Sequence, residues 1–187
     1  HNVETIVDAM SSFAGVMINV EQDNIHYLVS SSNKCIQGMA GISFVIANLK
    51  SLLKTKEIKA RNFYFNLLEN HLYLEKNKQF LFTPPVQTLY ALRQAINEYF
   101  TEGPENRFIR YASMYEIMKK KVLELGFSFL VEEKDHAKLL TAIIDPTSPN
   151  YSFNEMHDYL FERGFTIYPG KVGNANTFRL SNIRSEE

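Results

Sequence analysis

The spacing of apolar and polar residues divides the chain into two blocks that follow different patterns. In the first block, three short apolar runs end in small polar residues, at 5–10 (TIVDAM), 26–32 (HYLVSSS) and 42–47 (ISFVIA). Continuous apolar strands of this kind are typical of a sheet covered on both faces, which predicts an α/β domain with a mostly parallel sheet. Helical spacing follows at 48–58 and 62–77.

Proline and glycine residues mark the junction between the blocks. The segment FTPP at 82–85 is predicted to be extended, because the residue before a proline is pushed out of helical geometry. Apolar residues return at helical spacing over 86–100, which predicts a connecting helix. A second helix is predicted over 107–126, with Pro104 suited to its first turn and Gly126 suited to its C-cap.

The second block mixes strand-like and helix-like segments, which predicts a small α+β domain. Strands are predicted over 127–132, 138–146, 165–170 and 176–183, and a helix is predicted over 153–164. Together the blocks predict an α/β chain in two parts. The boundary between the two parts is expected between Phe82 and Arg107, along the connecting helix.

Composition and charge narrow the classes of function. The 187 residues carry a formal net charge of −1, so neither nucleic acid nor an anionic membrane is a predicted partner. No run of 18 apolar residues occurs, which argues against a membrane-spanning helix. The single cysteine, Cys35, excludes an internal disulfide framework, is typical of a reducing cytoplasm and is expected to be a small buried residue. The five histidines have no metal-ligand spacing, so no metal site is predicted.

Candidate chemistry lies where two of the predicted strands end. Asp8 closes the first strand and Lys34 follows the second, so both are expected at the carboxyl edge of one sheet, where α/β proteins bind ligands. A lysine amine and a carboxylate suit pyridoxal phosphate, which needs an amine for its Schiff base and an acid to keep its ring nitrogen protonated. The small residues at 30–32 and Gly38 would leave room for a flat ring and offer hydroxyl groups. Spacing alone also allows a surface lysine and an aspartate that caps a turn.

Five segments carry a resemblance to a known family. They are VDAMSSF (7–13), SSSNKCIQGMAGISFVIA (30–47), FTPP (82–85), IYPGKV (167–172) and FRLSNI (178–183). In this order and spacing they resemble the 2-aminoethylphosphonate–pyruvate aminotransferase family, which belongs to the class V aminotransferases, of fold type I among pyridoxal-phosphate enzymes. Members of that family have a further N-terminal half, so the resemblance implies that this chain, which starts at His1, is a C-terminal half. Residues 1–85 are then expected to be the second half of a large cofactor-binding domain, and residues 86–187, with the connecting helix, a small C-terminal α+β domain.

The resemblance also implies roles for four residues. Lys34 matches the lysine that holds pyridoxal phosphate and moves the substrate proton, and Asp8 matches the aspartate that pairs with the ring nitrogen. Thr83 matches a threonine that reaches across a dimer to the phosphate of the neighbouring subunit's cofactor; its alternative is a hydroxyl that satisfies a turn. Arg179 matches the arginine that holds the substrate's acid group; its alternative is a surface ion pair.

The reaction that the resemblance implies is a transamination in a cytoplasmic homodimer. The amino group of 2-aminoethylphosphonate moves to pyruvate, giving phosphonoacetaldehyde and alanine. One alternative is a class V transaminase of the alanine–glyoxylate or serine–pyruvate type, because the turn after Lys34 departs from the family pattern. The other is a non-catalytic C-terminal dimerisation fragment, and we expect this chain alone to be inactive.

Overall fold

A computed structural model of the chain describes residues 3–172 and 175–183. The chain forms two compact units, His1–Glu102 and Gly103–Glu187. Each unit contains one three-stranded sheet together with helices, so the predicted α/β character is confirmed. Within the described residues, no helix is both long and apolar enough to cross a membrane.

The sheet of the first unit is built from the three apolar runs that the sequence predicts as strands. They form β1 (Ile6–Asp8), β2 (Tyr27–Ser31) and β3 (Ser43–Ala47), in the order β1-β2-β3. β1 and β2 run parallel, whereas β2 and β3 run antiparallel. A mostly parallel sheet therefore stays a prediction. On one face of β2, Leu28 and Ser30 are fully buried.

Two asparagines begin the first two helices of this unit. Helix α1 (Leu49–Lys54) starts after Asn48, whose side chain accepts a hydrogen bond from the backbone of the first turn, and a short 3-10 turn follows it. Helix α2 (Leu67–Asn77) starts in the same way after Asn66. Such caps satisfy backbone N–H groups that have no partner inside the helix.

Helix α3 (Val86–Glu102) packs against the loop that follows β2. A Cβ atom placed on Gly38 would lie 3.6 Å from the Cβ of Ala95, and one on Gly41 would lie 3.6 Å from Cγ2 of Thr88. These contacts group the helix with the first unit, which ends at Glu102. The predicted domain boundary between residues 85 and 86 stays a prediction, as does the membership of the connecting helix.

Helix α4 (Pro104–Glu124) begins the second unit, with proline in its first turn as predicted. Gly126 has a φ of +80° and ends the helix. The backbone N–H of Gly126 donates to Leu123 at 3.0 Å, and that of the next residue donates to Val122 at 3.1 Å. This pair of bonds is the Schellman arrangement, for which glycine is the favoured residue.

The sheet of the second unit has the order β4-β6-β5, and all its pairs are antiparallel. Its strands are β4 (Leu140–Ile144), β5 (Tyr168–Val172) and β6 (Ala175–Ser181), and helix α5 (Phe153–Phe161) lies between β4 and β5 in the chain. The predicted closing pair of strands, 165–170 and 176–183, is confirmed as the β5–β6 hairpin.

The predicted strand over 127–132 is wrong. This segment makes a single bridge, between Phe129 and Ile143, with one backbone hydrogen bond on each side of it. The chain then turns into a 3-10 turn at Glu133–Asp135. Two of its apolar side chains, Phe127 and Phe129, instead pack against the core formed by Val122, Ile143, Ile167 and Phe178. Tertiary packing therefore accounts for the apolar pattern without a regular strand.

Candidate active site

Asp8 and Lys34 lie at the same edge of the first sheet. Strands β1 and β2 run parallel, and Asp8 is the last residue of β1, paired with Val29. β2 ends at Ser31, and Lys34 lies in the turn that follows. Both residues therefore stand at the carboxyl ends of neighbouring parallel strands, which is the edge where ligands bind in open α/β sheets.

Direct bonds join the loop after β1 to the loop after β2. The thiol of Cys35 donates to the carbonyl of Ser11 at 3.1 Å, and the hydroxyl of Ser30 donates to the carbonyl of Ala9 at 3.2 Å. Cys35 is fully buried, as predicted. These bonds tie the chain beyond Asp8 to the chain on either side of Lys34.

The turn that carries Lys34 is closed by its own backbone. The N–H of Gly38 donates to the carbonyl of Ser32 at 2.7 Å, and that of Gln37 donates to the carbonyl of Lys34 at 2.8 Å. A Cβ atom on Gly38 would lie only 2.7 Å from the Ser32 carbonyl oxygen, so this position requires glycine. The sequence argument ascribed the small residue to space for a ring, whereas the structure shows that the loop itself needs it.

The three serines before Lys34 use their hydroxyl groups inside the chain. Ser30 donates to Ala9, Ser31 donates to Oδ1 of Asn33 at 3.0 Å, and Ser32 donates to the carbonyl of Met39. All three serines are buried. Their hydroxyls fix the shape of the turn, and they are not displayed for a ligand as the sequence argument expected.

The side chains of Lys34 and Asp8 are more exposed than the buried serines of the turn. Lys34 is half-buried, and its Nζ makes no hydrogen bond or ion pair within residues 3–172 and 175–183. Asp8 is exposed, and its Oδ1 accepts a hydrogen bond from the N–H of Met10 at 2.9 Å. The capping role that spacing allowed for Asp8 is therefore present, and it uses one carboxylate oxygen.

Thr83 lies in the same unit, in the segment that leads into α3. It is exposed, and its hydroxyl makes no hydrogen bond to any part of the chain that the structure describes. The carbonyl of Pro85 accepts the first helical bond of α3, from Leu89 at 3.0 Å. The turn before α3 thus forms without the hydroxyl of Thr83, which leaves the hydroxyl available to a ligand.

Arg179 lies in the second unit, on β6 between two strands. Its register partners are Ala142 on β4 and Tyr168 on β5. The guanidinium is exposed, and its Nη2 donates to the carbonyl of Pro169 at 3.2 Å. It makes no ion pair with the described residues, so the alternative of a surface salt bridge is not observed. The IYPGKV and FRLSNI segments are thus the two strands of one hairpin.

The sequence argument missed Asn182, which follows Arg179 in the same segment. Asn182 is buried, and its Nδ2 donates to the carbonyls of Tyr111 and Lys138, both at 2.9 Å. It therefore fastens the end of β6 to α4 and to the segment just before β4. No local pattern marks such a residue, because Tyr111 is 71 positions away in the sequence.

Comparisons with known proteins show which family the chain is similar to. The profile of the family Aminotransferase class-V matches residues 1–179. The 2-aminoethylphosphonate–pyruvate transaminase of Bacillus mycoides (strain KBAB4) is 40% identical over 181 residues, which are 96% of this chain and 49% of that protein. The bifunctional phosphonoacetaldehyde hydrolase/aminoethylphosphonate transaminase of Clostridioides difficile (strain 630) is 40% identical over 185 residues, 98% of this chain and 29% of that protein.

A solved structure shares the fold. The alanine–glyoxylate aminotransferase of a Nostoc species superposes with a TM-score of 0.87 at 22% identity, over 96% of this chain and 48% of that one. At this identity the likeness shows the fold alone. The chain spans about half the length of this structure and of the Bacillus relative, and less than a third of the bifunctional relative.

Proposed function

We propose that this chain, which belongs to the class-V aminotransferase family, carries the lysine of a pyridoxal-phosphate-dependent transaminase. The observation that carries the proposal is the half-buried, unpaired amine of Lys34 at the sheet edge that also holds Asp8. The substrates that we propose are 2-aminoethylphosphonate and pyruvate, with phosphonoacetaldehyde and alanine as products. The names of relatives at 40% identity support this choice.

The residues at the sheet edge fit pyridoxal phosphate. The cofactor carries an aldehyde, which needs a free amine, and a ring nitrogen, which needs an acid. Lys34 offers the amine. Asp8 offers a carboxylate whose Oδ1 accepts from Met10 and whose Oδ2 makes no hydrogen bond to the described residues. When bound, pyridoxal phosphate supplies an electron sink for negative charge at the substrate carbon.

The proposed roles of the chain follow from these positions. Lys34 would hold the cofactor through its Nζ, and the same amine would move a proton from the substrate carbon to the C4′ carbon of the cofactor. Asp8 keeps the ring nitrogen positively charged through an ion pair. Because the Cys35 and Ser30 bonds join the two loops, the amine and the carboxylate are held on a common support.

Arg179 and Thr83 are proposed to bind the anionic groups. A guanidinium can hold a carboxylate or a phosphonate by two parallel hydrogen bonds, so Arg179 can serve pyruvate and 2-aminoethylphosphonate in turn. Thr83 is proposed to donate its free hydroxyl to the cofactor phosphate bound by a second subunit. This role requires a homodimer, which together with a cytoplasmic location is part of the proposal.

Site-selective labelling tests the role of Lys34. The purified chain is saturated with pyridoxal phosphate, reduced with borohydride and digested, and the added mass is located by mass spectrometry. Even at low occupancy, we expect the label on Lys34 in clear excess over Lys50, an exposed lysine one strand further on. Lys34→Arg should abolish that excess, and Lys50→Arg should leave it. Equal labelling of the two lysines in the wild type overturns the proposal.

Amino-donor profiling tests the substrates. This chain replaces the matching half of the Bacillus mycoides relative, and the chimera is assayed with pyruvate as acceptor. We expect 2-aminoethylphosphonate to be the preferred donor. If serine or alanine reacts with glyoxylate and 2-aminoethylphosphonate does not, the proposed substrates are wrong. Arg179→Lys should raise the KM for both anions, because an ammonium cannot make the two parallel hydrogen bonds.

A further inference from the structure

Tyr168 stands beside Arg179 on one face of the second sheet. The two residues pair directly across β5 and β6, so their side chains leave the sheet on the same face. The Cβ atoms of directly opposite residues lie about 5 Å apart in an antiparallel pair. Tyr168 is 61% exposed, and its hydroxyl makes no hydrogen bond to residues 3–172 and 175–183. An exposed phenol is therefore the neighbour of the guanidinium that is proposed to bind the substrate's acid group.

The side chain of Arg179 leans toward β5. A Cβ atom on Gly170 would lie 3.2 Å from Cγ of Arg179, so the arginine stem lies against the glycine. Its Nη2 donates to the carbonyl of Pro169 at 3.2 Å, and Pro169 stands between Tyr168 and Gly170 in the strand. The guanidinium is thus held at one nitrogen beside Tyr168, and it makes no other hydrogen bond to the described residues.

The acid groups of the two proposed substrates differ in their number of oxygen atoms. The fork of a guanidinium holds two oxygens by parallel hydrogen bonds, which occupies both oxygens of the pyruvate carboxylate. A phosphonate has a third oxygen, which needs a donor from another residue. Because that oxygen is hydrated in water, a site that leaves it without a donor binds phosphonates less tightly.

We propose that Tyr168 is a specificity-determining residue of the substrate site, whose phenol donates a hydrogen bond to the third oxygen of a phosphonate that Arg179 holds. A phenol carries one O–H donor, so it can serve one further oxygen. The inference rests on the proposed function, in which Arg179 binds the acid group. It adds the reason why this site favours a phosphonate over a carboxylate in the amino donor.

Two other hydroxyl groups stand on the same face of β6, two residues to either side of Arg179. The Oγ1 of Thr177 is buried against Gly170, where a Cβ atom would lie only 2.5 Å away, so it is out of reach of a ligand. Ser181 is exposed. Gly170 pairs with Thr177, so Arg179 leans away from Ser181 when it leans toward the glycine. Tyr168 is therefore the donor that lies beside the guanidinium.

Binding of two small acids tests the third hydrogen bond. Ethylphosphonate and propionate share an ethyl group and differ in the acid, and neither has an amino or keto group that could react. Their dissociation constants are measured by calorimetry on the chimera of this chain with the Bacillus mycoides relative. We expect Tyr168→Phe to weaken ethylphosphonate binding about tenfold, the effect of one hydrogen bond to a charged group, and to leave propionate binding unchanged.

Steady-state kinetics of the same chimera give a second measure. Amino transfer takes its two substrates in separate half-reactions, so kcat/KM reports on each substrate by itself. Tyr168→Phe should lower kcat/KM for 2-aminoethylphosphonate about tenfold and leave the value for pyruvate unchanged, a split that a loss of stability would not produce. Ser181→Ala is the matched control, because it removes the exposed hydroxyl on the other side of Arg179, and it should change none of these values.

Three results overturn the inference. They are a chimera that binds ethylphosphonate no better than propionate, equal effects of Tyr168→Phe on both acids, and no effect of Tyr168→Phe on either acid. Each of them leaves the labelling of Lys34 and the choice of amino donor as measured, so the proposed function can stand when this inference falls. Equal labelling of Lys34 and Lys50, in contrast, counts against the proposed function alone.

Discussion

The phenol of Tyr115 and Nδ1 of His136 form a hydrogen bond that fastens the segment after α4 to the helix. The other ring nitrogen, Nε2, lies 2.7 Å from the carbonyl oxygen of Val131. A carbonyl only accepts, so Nε2 carries the proton and Nδ1 accepts from the phenol, which assigns the tautomer. Burial of Tyr115 raises the pKa of its phenol and keeps that donor protonated.

Removal of the Tyr115 hydroxyl should destabilise the second unit. Tyr115→Phe keeps the ring but leaves Nδ1 of His136 without its donor, and we expect the free energy of unfolding to fall by about 1 kcal/mol. Urea denaturation measures this loss, and the ¹⁵N chemical shifts of the imidazole report the change at Nδ1. Tyr159→Phe, which removes an exposed hydroxyl on α5, should change neither. A Tyr115→Phe protein of unaltered stability and shifts would refute the assignment.

Asn182 should tolerate neither alanine nor aspartate. Asn182→Ala removes the donor to the carbonyls of Tyr111 and Lys138, at a cost of about 2 kcal/mol. Asn182→Asp should cost more at neutral pH, since a buried carboxylate would face two carbonyl oxygens. Its stability should recover partly as the pH falls and the carboxyl gains a proton that it can donate. Asn176→Asp, the same change at an exposed site on β6, should lack both effects in urea titrations at pH 7 and pH 5. Equal stability of the two aspartate variants would contradict the role of Asn182.

The elements that position Lys34 could be predicted because their signals are local. Continuous apolar runs predicted β1, β2 and β3, and the change to small polar residues predicted where β1 and β2 end. The positions of Asp8 and Lys34 at one edge of the sheet could be predicted from those ends, because neighbouring parallel strands have their carboxyl ends at the same edge. The pattern suggested pyridoxal phosphate for these two residues and left a surface lysine and a capping aspartate open, and the resemblance then implied their roles.

The residues that the sequence argument missed or misinterpreted depend on contacts that form only in the folded chain. Gly38 is required by the carbonyl of Ser32, and its meaning appears only when the loop closes. Asn182 acts on Tyr111, 71 positions earlier. The wrong strand at 127–132 has the same origin, because Phe129 turns toward a core that periodicity does not display. Local propensity gives way to tertiary packing at such positions.

Tyr151 should make stability fall in alkaline solution. Burial and the hydrogen bond to Oδ1 of Asp145, at 3.1 Å, raise the pKa of Tyr151 to about 12. Above about pH 10 the unfolded chain loses this proton while the folded chain keeps it, so the free energy of unfolding decreases as the pH rises toward 12. The contribution is fully present below pH 10. Tyr151→Phe should flatten this decline between pH 10 and pH 12 in urea denaturation, whereas Tyr159→Phe should not. An unchanged slope in Tyr151→Phe would contradict the assignment.

Gly170 pairs with Thr177 in the hairpin that carries Arg179, and its replacement should act through Thr177. A Cβ atom on Gly170 would lie 2.5 Å from Oγ1 of Thr177 and 3.2 Å from Cγ of Arg179. Gly170→Ala should therefore cost about 1 to 3 kcal/mol. The Oγ1 of Thr177 is buried without a hydrogen-bond partner in the described chain, so Thr177→Ala removes the obstacle at little cost in hydrogen bonding.

The double variant decides whether this contact is the cause. Gly170→Ala with Thr177→Ala should be more stable than the sum of the single losses, by about 1 kcal/mol or more. Gly164→Ala is the matched control, because its Cβ would meet nothing within 4 Å and its cost comes from a φ of +82° alone. Combined with Thr177→Ala, that control should show strict additivity in urea denaturation. Additive losses for the Gly170 pair would mean that the glycine serves the backbone of β5 and not the space beside Thr177 and Arg179.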